Sequence, residues 1–395
     1  MTLLKTVVTV ASAAVIATLA ACGNPDAEAS AEASRAFRVV AVLPKTGPLA
    51  EAVKLQVAGL EAGIDAVNAG NGIGGRKVEL TVLDDRLDST QAVSLLQKEI
   101  NGPNKPDFVW AGATSNETLA MLPLLTRAKI LSGATSASSK ANDPATYPYH
   151  FGQQSGGDQN YKQLLGIVKQ EGHQKVGFMY ANDAFGTDTF AQAKRIASAD
   201  GLQLVAQSYD PKATDLTAPM DAIRSNSPDV LLVQGYGAPV GYILDARAKL
   251  GWDVPVVGDS GVGGSNVATA VNPELLKGVR VAVTPASIAS ASADWMPATK
   301  AAIAAVKAKG PVNQLIYQAL LPYDALQLVH LAATQAKSTD PDSIKSALET
   351  LETTGTVPWT AYQSYGYTAT NHYPLLSPGD YRLVPAGPMA EGQYK

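Results

Sequence analysis

Hydrophobic positions along this chain alternate between two periods. Residues 37–43 form an apolar, β-branched run of the kind a buried strand needs. Behind them Val53, Val57, Leu60, Ile64 and Val67 recur at spacings of four, three, four and three, one face of a helix that Gly70-Asn71-Gly72 ends. Residues 77–83 read as a strand ending in Asp84-Asp85, and Asp88-Ser89-Thr90-Gln91 reads as a capping box opening a helix to about Ile100. A short strand at 108–111, a helix over 116–127 bent or broken at Pro123, and a strand at 129–132 follow.

The pattern then restarts. A helix around 161–170 ends at Gly172, and 175–180 is a strand. Phe190, Ala193, Ile196 and Ala197 mark a helical face that ends at Gly201. Strands at 202–208, 229–233 and 254–257 alternate with helices over 215–226 and 239–250. After a strand at 279–283, residues 295–350 are mostly helical. The tail, with Trp359, Tyr362, Tyr365, Tyr367, Tyr373 and Tyr381, predicts small strands completing a lobe.

The spans 37–133 and 175–258 are thus two βαβα series of similar length. Strands joined by helices imply parallel sheets covered on both faces, so the fold class is α/β with two Rossmann-like lobes. The expected division is 36–151 plus 284–354 for the first lobe and 152–283 plus 355–395 for the second. Connections near 150–156, 283–286 and 353–358 are the expected hinges, where Gly152, Gly156, Gly157 and Gly355 suit changes of φ and ψ.

The N-terminus adds an address. Lys5 precedes an apolar or small run from Thr6 to Ala20, too short to span a bilayer and suited to a secretory leader. It ends in Leu19-Ala20-Ala21-Cys22-Gly23, around the only cysteine of the chain. This resembles the lipobox of bacterial lipoproteins and implies cleavage after residue 21 and lipidation of Cys22. An ordinary signal peptide with an incidental cysteine is the alternative. Residues 22–35 have little to bury and read as a flexible tether. With Cys22 used as an anchor, no disulfide forms. A net charge of −4 without a basic run argues against nucleic acid. Four scattered histidines leave no zinc cluster, and no cofactor is expected.

Open α/β sheets bind ligands outside the carboxyl ends of their strands. The loops so selected are Pro44-Lys45-Thr46-Gly47-Pro48, Gly112-Ala113-Thr114-Ser115-Asn116 and Gly133-Ala134-Thr135-Ser136 in the first series. In the second they are Asn182-Asp183-Ala184-Phe185-Gly186, Gly235-Tyr236-Gly237 and Gly258-Asp259-Ser260-Gly261. Hydroxyls and free amides ahead of a helix suit a carboxylate, although Thr114, Ser115, Thr135 and Ser136 also suit plain capping.

At these loops the chain resembles the type I periplasmic binding proteins of the leucine/isoleucine/valine-binding family. The matching stretches are 43–48, 67–76, 111–115, 132–135, 182–186 and 258–263, with a weaker one at 367–372. The resemblance implies two lobes joined by a multi-strand hinge. It also implies that Thr114 or Ser115, an amide near Gly133 and Ala134, and the Thr135 hydroxyl hold a ligand carboxylate. The acidic residue that meets a ligand ammonium falls at Ser260, with Asp259 beside it. A covering aromatic falls at Ala52, while Phe185 and Tyr236 match second-lobe contacts. Lys45 lies close enough to the predicted cleft to meet an acidic ligand, and equally reads as a solvated loop lysine.

Two other motifs carry less. Gly70-Asn71-Gly72-Ile73-Gly74-Gly75 follows a helix rather than a strand, against a dinucleotide loop. Gly258-Asp259-Ser260-Gly261 resembles a protease nucleophile segment but lacks a base and an orienting group. Asp84 and Asp85 read as turn and cap residues.

The expectation is therefore a monomeric, extracytoplasmic, membrane-anchored solute-binding lipoprotein of an ABC importer. Its partners are a small ligand (an amino acid, an aliphatic or aromatic acid, or an amide) and an ABC permease. A ligand sensor on the same fold and an exported α/β enzyme are the alternatives. No catalytic constellation supports the last.

Overall fold

The computed structural model describes residues 35–269, 271–351, 359–377 and 379–395. The expected signal peptide, Cys22, nearly all of the tether, and the third hinge with Gly355 lie outside the described residues.

The first series runs β1 (Phe37–Leu43), α1 (Ala50–Ala69), β2 (Val78–Asp84), α2 (Ser89–Asn101), β3 (Phe108–Ala111), α3 (Ser115–Ala128) and β4 (Leu131–Gly133). The second runs α4 (Gly157–Gln170), β5 (Lys175–Ala181), α5 (Ala184–Asp200), β6 (Gln203–Tyr209), α6 (Thr217–Arg224), β7 (Val230–Val233), α7 (Ala238–Lys249), β8 (Val256–Gly258) and α8 (Ser260–Gly264). Then come β9 (Val279–Val283), α9 (Pro297–Lys307), α10 (Tyr317–Ala336), α11 (Pro341–Leu348) and β10 (Arg382–Pro385).

The strands form two sheets, one ordered β2-β1-β3-β4 and the other β6-β5-β7-β8-β9-β10. All pairings are parallel except that of β10 with β9. Each sheet reverses direction at its first strand, so the topological switch lies between β1 and β3 in one and β5 and β7 in the other. The most apolar strands are central: β1 buries all but Arg38, whereas edge strand β2 is mostly half-exposed.

Local chemistry explains most boundaries. Asp88 caps α2 by accepting from the amides of Thr90 and Gln91. Gln91 does not close the box. Its side-chain amide donates to the Asp84 carbonyl at 2.8 Å and ties the helix to the strand before it. Pro123 neither breaks α3 nor ends it, since Leu122, Leu124 and Leu125 are buried on both sides of it. Residues 260–264, expected as loop, form a short helix capped by Asp259.

α1 and α10 pack closely because α1 presents glycines four residues apart. A Cβ at Gly59 would stand 2.1 Å from the Ala319 carbonyl oxygen, and one at Gly63 would crowd Leu326 and Tyr323. Nearby, Trp110 donates its indole N–H to Gln56 Oε1 at 2.9 Å inside the core.

The aromatic tail gives one strand, β10, rather than several. Its rings are buried instead. Residues 359–373, expected with the second lobe, are held by elements of the first series and by α10. Asp324 of α10 is fully buried and accepts from the amides of Thr360 and Ala361, the Thr360 hydroxyl and the Tyr365 hydroxyl. Tyr367 donates to the Gly152 carbonyl, and Gly152 donates its amide to His372. Tyr373 packs among residues of β1, β3 and α3, whereas Tyr381 joins the cluster of α4, β5 and β7.

Burial is the first cause pushing the Asp324 carboxyl up, to about 6, against four donors that favour its ionised form. Removing it leaves those donors orphaned in an apolar site, where each unmade bond costs about 1–3 kcal/mol. Asp324→Ala should therefore lower unfolding free energy by about 3 kcal/mol or more, measured by urea denaturation, with Asp324→Asn costing less. Equal stability of Asp324→Ala and the native protein would show that the tail is held by its rings alone.

Candidate functional site

Four helix N-termini meet at the carboxyl ends of the switch-point strands. They enclose a cavity of about 320 Å³. From the first series come Pro48, Leu49, Glu51 and Ala52 at the start of α1, and Ala113 to Asn116 ahead of α3. Thr135 and Ala137 follow β4. Facing them are Asp183 and Phe185 at α5, Tyr236 to Ala238 at α7, and Gly261, Gly264 and Ser265 around α8. Gln56, Gln154, Gln314 and Gln318 add neutral polar groups. No lysine, arginine or histidine lines this cavity.

The end of α3 is organised by Glu117. Its Oε2 accepts the amides of Ala113 at 2.9 Å and Thr114 at 3.0 Å, and the Thr114 hydroxyl at 3.3 Å. First-turn amides have no acceptor within their own helix, which leaves those of Ser115 and Asn116 for an incoming anion. Ser136 donates its hydroxyl to Ser115 Oγ at 3.0 Å, so the Ser115 proton is available to a ligand. Thr135 donates its hydroxyl to the Ala113 carbonyl at 3.3 Å, leaving it an acceptor toward the cavity.

On the opposite wall Tyr236 donates its hydroxyl to Asp183 Oδ2 at 2.5 Å, while Asp183 Oδ1 accepts the Gly186 amide at 2.8 Å and caps α5. The rings of Phe185 and Tyr236 lie stacked with centroids 6.5 Å apart. Burial, and then the Asp183 charge, raise the Tyr236 phenol above its usual range and keep it a donor. Three hydrogen bonds join the two sides: the Ala184 amide to Asn116 Oδ1 at 3.4 Å, and the Ser139 amide and hydroxyl to Asp188.

The structure thus brings Thr114, Ser115, Thr135, Phe185 and Tyr236 to one cavity, and leaves five other expected residues out of its wall. Gly133 is packed against Phe108 and Trp110. Ala134 is fully buried, its carbonyl accepting the Gln153 amide. Lys45 is exposed outside the cavity. Ser260 is buried beneath the floor. Asp259 is buried too, its Oδ1 capping α8 through the Gly261 and Val262 amides and its Oδ2 accepting from Tyr161. Burial pushes the Asp259 carboxyl up to about 7. A carboxyl so enclosed organises a loop.

Asp183 was not singled out from the sequence, although it stands in a loop that the strand-end rule selects; it lines the cavity, with its oxygens accepting from Gly186 and Tyr236. Gln314 and Gln318 come from the start of α10, far from any strand end, and no local pattern signals them.

This geometry agrees with the comparisons. The family model described as periplasmic binding protein matches residues 36–376. The chain belongs to that family. A leucine-, isoleucine-, valine-, threonine- and alanine-binding protein of Pseudomonas aeruginosa is 24% identical over 320 residues, covering 80% of this chain and 83% of its own. The type 1 periplasmic binding protein of Bordetella pertussis superposes with a TM-score of 0.76 at 20% identity, over 89% of this chain and all of its own. An ABC-transporter solute-binding protein of Rhodopseudomonas palustris, solved with 3,4-dihydroxybenzoic acid, gives a TM-score of 0.66 at 22% identity, over 79% of this chain and 84% of its own. These are solute-binding proteins rather than enzymes, and the family places this binding protein outside the cytoplasm. Among the described residues no helix is long and apolar enough to cross a membrane, and no group of acidic, histidine or cysteine side chains is arranged for a metal.

Behind the Thr114 loop, Asp85 and Glu117 are hydrogen-bond neighbours and almost wholly buried. One oxygen of each, Asp85 Oδ2 and Glu117 Oε1, is buried without a hydrogen-bond partner, which favours the protonated form of the pair. Burial and the neighbouring Asp85 charge push Glu117 up to about 7, and burial also raises Asp85. Raised carboxyls bind protons in the folded state that the unfolded chain releases near pH 4. Their stability contribution is therefore complete below about pH 4 and lost as pH rises through about 7. The melting temperature should fall between pH 5 and 8, and Glu117→Gln, a neutral mimic of the protonated pair, should flatten that slope. An unchanged slope in the variant would place the titration at other buried carboxyls such as Asp259.

Proposed function

We propose that this chain is the lipid-anchored solute receptor of an ABC importer, closing two lobes over a small solute that carries a carboxylate. The supporting observation is the cavity itself. Amides and a hydroxyl at the N-terminus of α3 face the aromatic pair Phe185 and Tyr236 across a space of about 320 Å³, sized for a small molecule. In this reading the first lobe comprises β1 to β4, α9 to α11 and the segment through Tyr373, and the second comprises α4 to β9 with β10. Ligand docks first on α3, and the second lobe then swings over it about segments near 150–156, 283–286 and 374–380. Only contacts with the second lobe favour the closed form, because a ligand shifts an equilibrium by its differential affinity alone.

Thermal shift of a soluble form beginning near Ala27 tests the reading. The panel holds amino acids, their deaminated acids, aromatic acids and short amides. A ligand at 100 times its dissociation constant adds about 2.7 kcal/mol of stability. Ser115→Ala should weaken a carboxylate ligand by about 1–3 kcal/mol, as loss of a charge-assisted hydrogen bond does, whereas Thr135→Ala, whose hydroxyl proton is taken by the Ala113 carbonyl, should change it little. Tyr236→Ala should weaken it without changing the binding stoichiometry. Isothermal titration that found neither Ser115 nor Tyr236 necessary would move the ligand elsewhere.

Lipidation is tested separately. In cells fed a labelled fatty acid, the native protein should carry label and sediment with membranes, and Cys22→Ser should do neither. Retention of both by the variant would leave the leader as an ordinary export signal.

A further inference from the structure

We infer that Asp183 is the anchor for a cationic nitrogen on the ligand, so that the cavity selects zwitterions or cations over plain carboxylic acids. The inference rests on the receptor reading above and names the chemistry of its second wall. The cavity is lined by two carboxylates, Glu51 and Asp183, and by no cationic side chain. Glu51 lies near the mouth, with more than half its side chain exposed, and is already paired with Lys54 at 2.5 Å. Asp183 is half-buried, and its bonds from Tyr236 and Gly186 come from neutral donors. Those bonds fix the carboxylate without neutralising it.

A plain acid entering this space brings a second negative charge opposite an unbalanced first one, in a site where screening by water is reduced. A ligand nitrogen carrying positive charge instead gains Asp183 directly, beside the stacked rings of Phe185 and Tyr236. The first wall offers the opposite polarity through the amides of Ser115 and Asn116. A ligand with an amine and a carboxylate therefore has one orientation, with its cationic end on the second wall. The expected acidic partner, Asp259, is enclosed under α8 and does not compete for this role.

Pairs of compounds that differ only in the amine provide the test: leucine with 4-methylpentanoate, and phenylalanine with 3-phenylpropionate and phenethylamine, alongside 3,4-dihydroxybenzoate. Titration calorimetry is run on the native protein, Asp183→Asn and Asp183→Ser, both of which retain a residue able to cap α5. An amine-bearing compound should bind at least about 30-fold more tightly than its deaminated partner, as loss of a desolvated charge partner implies. Both variants should lose most of that preference while melting near the native temperature. Acids that bind as well as amines, with the Asp183 variants unimpaired, would overturn the assignment while leaving the cavity reading intact. So would a screen of amines and amino acids in which none binds. Amine binding that survives Tyr236→Ala and Ser115→Ala but not the Asp183 variants supports Asp183 and overturns the shared-cavity reading instead.

Discussion

The rest of this molecule depends on a constraint of topology: in both sheets the chain turns back beside its first strand. Orders β2-β1-β3-β4 and β6-β5-β7-β8-β9-β10 each leave a crevice where the connections from adjacent strands depart to opposite faces. Because every strand in the crevice region is parallel, the loops that leave it all do so at one end. Every one of them also leads toward a helix N-terminus. The cavity is thus walled by backbone amides of unpaired first turns, and its chemistry is set by what each turn does with its donors.

At three of these turns a carboxylate takes some of them, whereas α1 has no side-chain cap and the Gly237 amide ahead of α7 goes to the Ser265 hydroxyl. Glu117 holds the Ala113 and Thr114 amides, Asp183 the Gly186 amide, and Asp259 the Gly261 and Val262 amides. Away from the crevice Asp324 does the same for Thr360 and Ala361. Burial works against each enclosed carboxylate, which is why Glu117, Asp259 and Asp324 all have raised affinities for a proton. Loop geometry is held in this way by charge placed where water is scarce, with no disulfide to share the task.

Much of this was legible in the sequence, for identifiable reasons. Strand β1 announces itself because a strand buried on both faces must be apolar throughout. The Asp88 cap and the Gly201 stop are local chemistry, which local sequence records. The strand-end rule then selects the loops holding Thr114, Ser115, Thr135, Phe185 and Tyr236 without any knowledge of packing. What the sequence does not reveal is depth. Asp183 and Asp259 have the same local signature, an aspartate capping the helix after a strand of the second sheet. One borders the cavity and the other lies under α8, a difference set by Tyr161 and Tyr381 packing from distant segments. The antiparallel β10 and the attachment of residues 359–373 to Asp324 are equally non-local.

That difference in depth gives the two walls distinct electrical characters. On the first wall, the carboxyl that occupies the α3 amides is Glu117, which burial and the neighbouring Asp85 charge push toward its neutral form. The net effect of that wall on a ligand is therefore that of a helix N-terminus, and it favours anions. On the second wall Asp183 has only neutral donors, so its charge remains to be matched from the cavity. A dipolar solute then contacts both walls with opposite ends. In the proposed closure both contacts are made at once, because neither wall gains its partner fully while the other stands away. Selection by charge and selection of the closed form are in this arrangement one interaction seen from two sides.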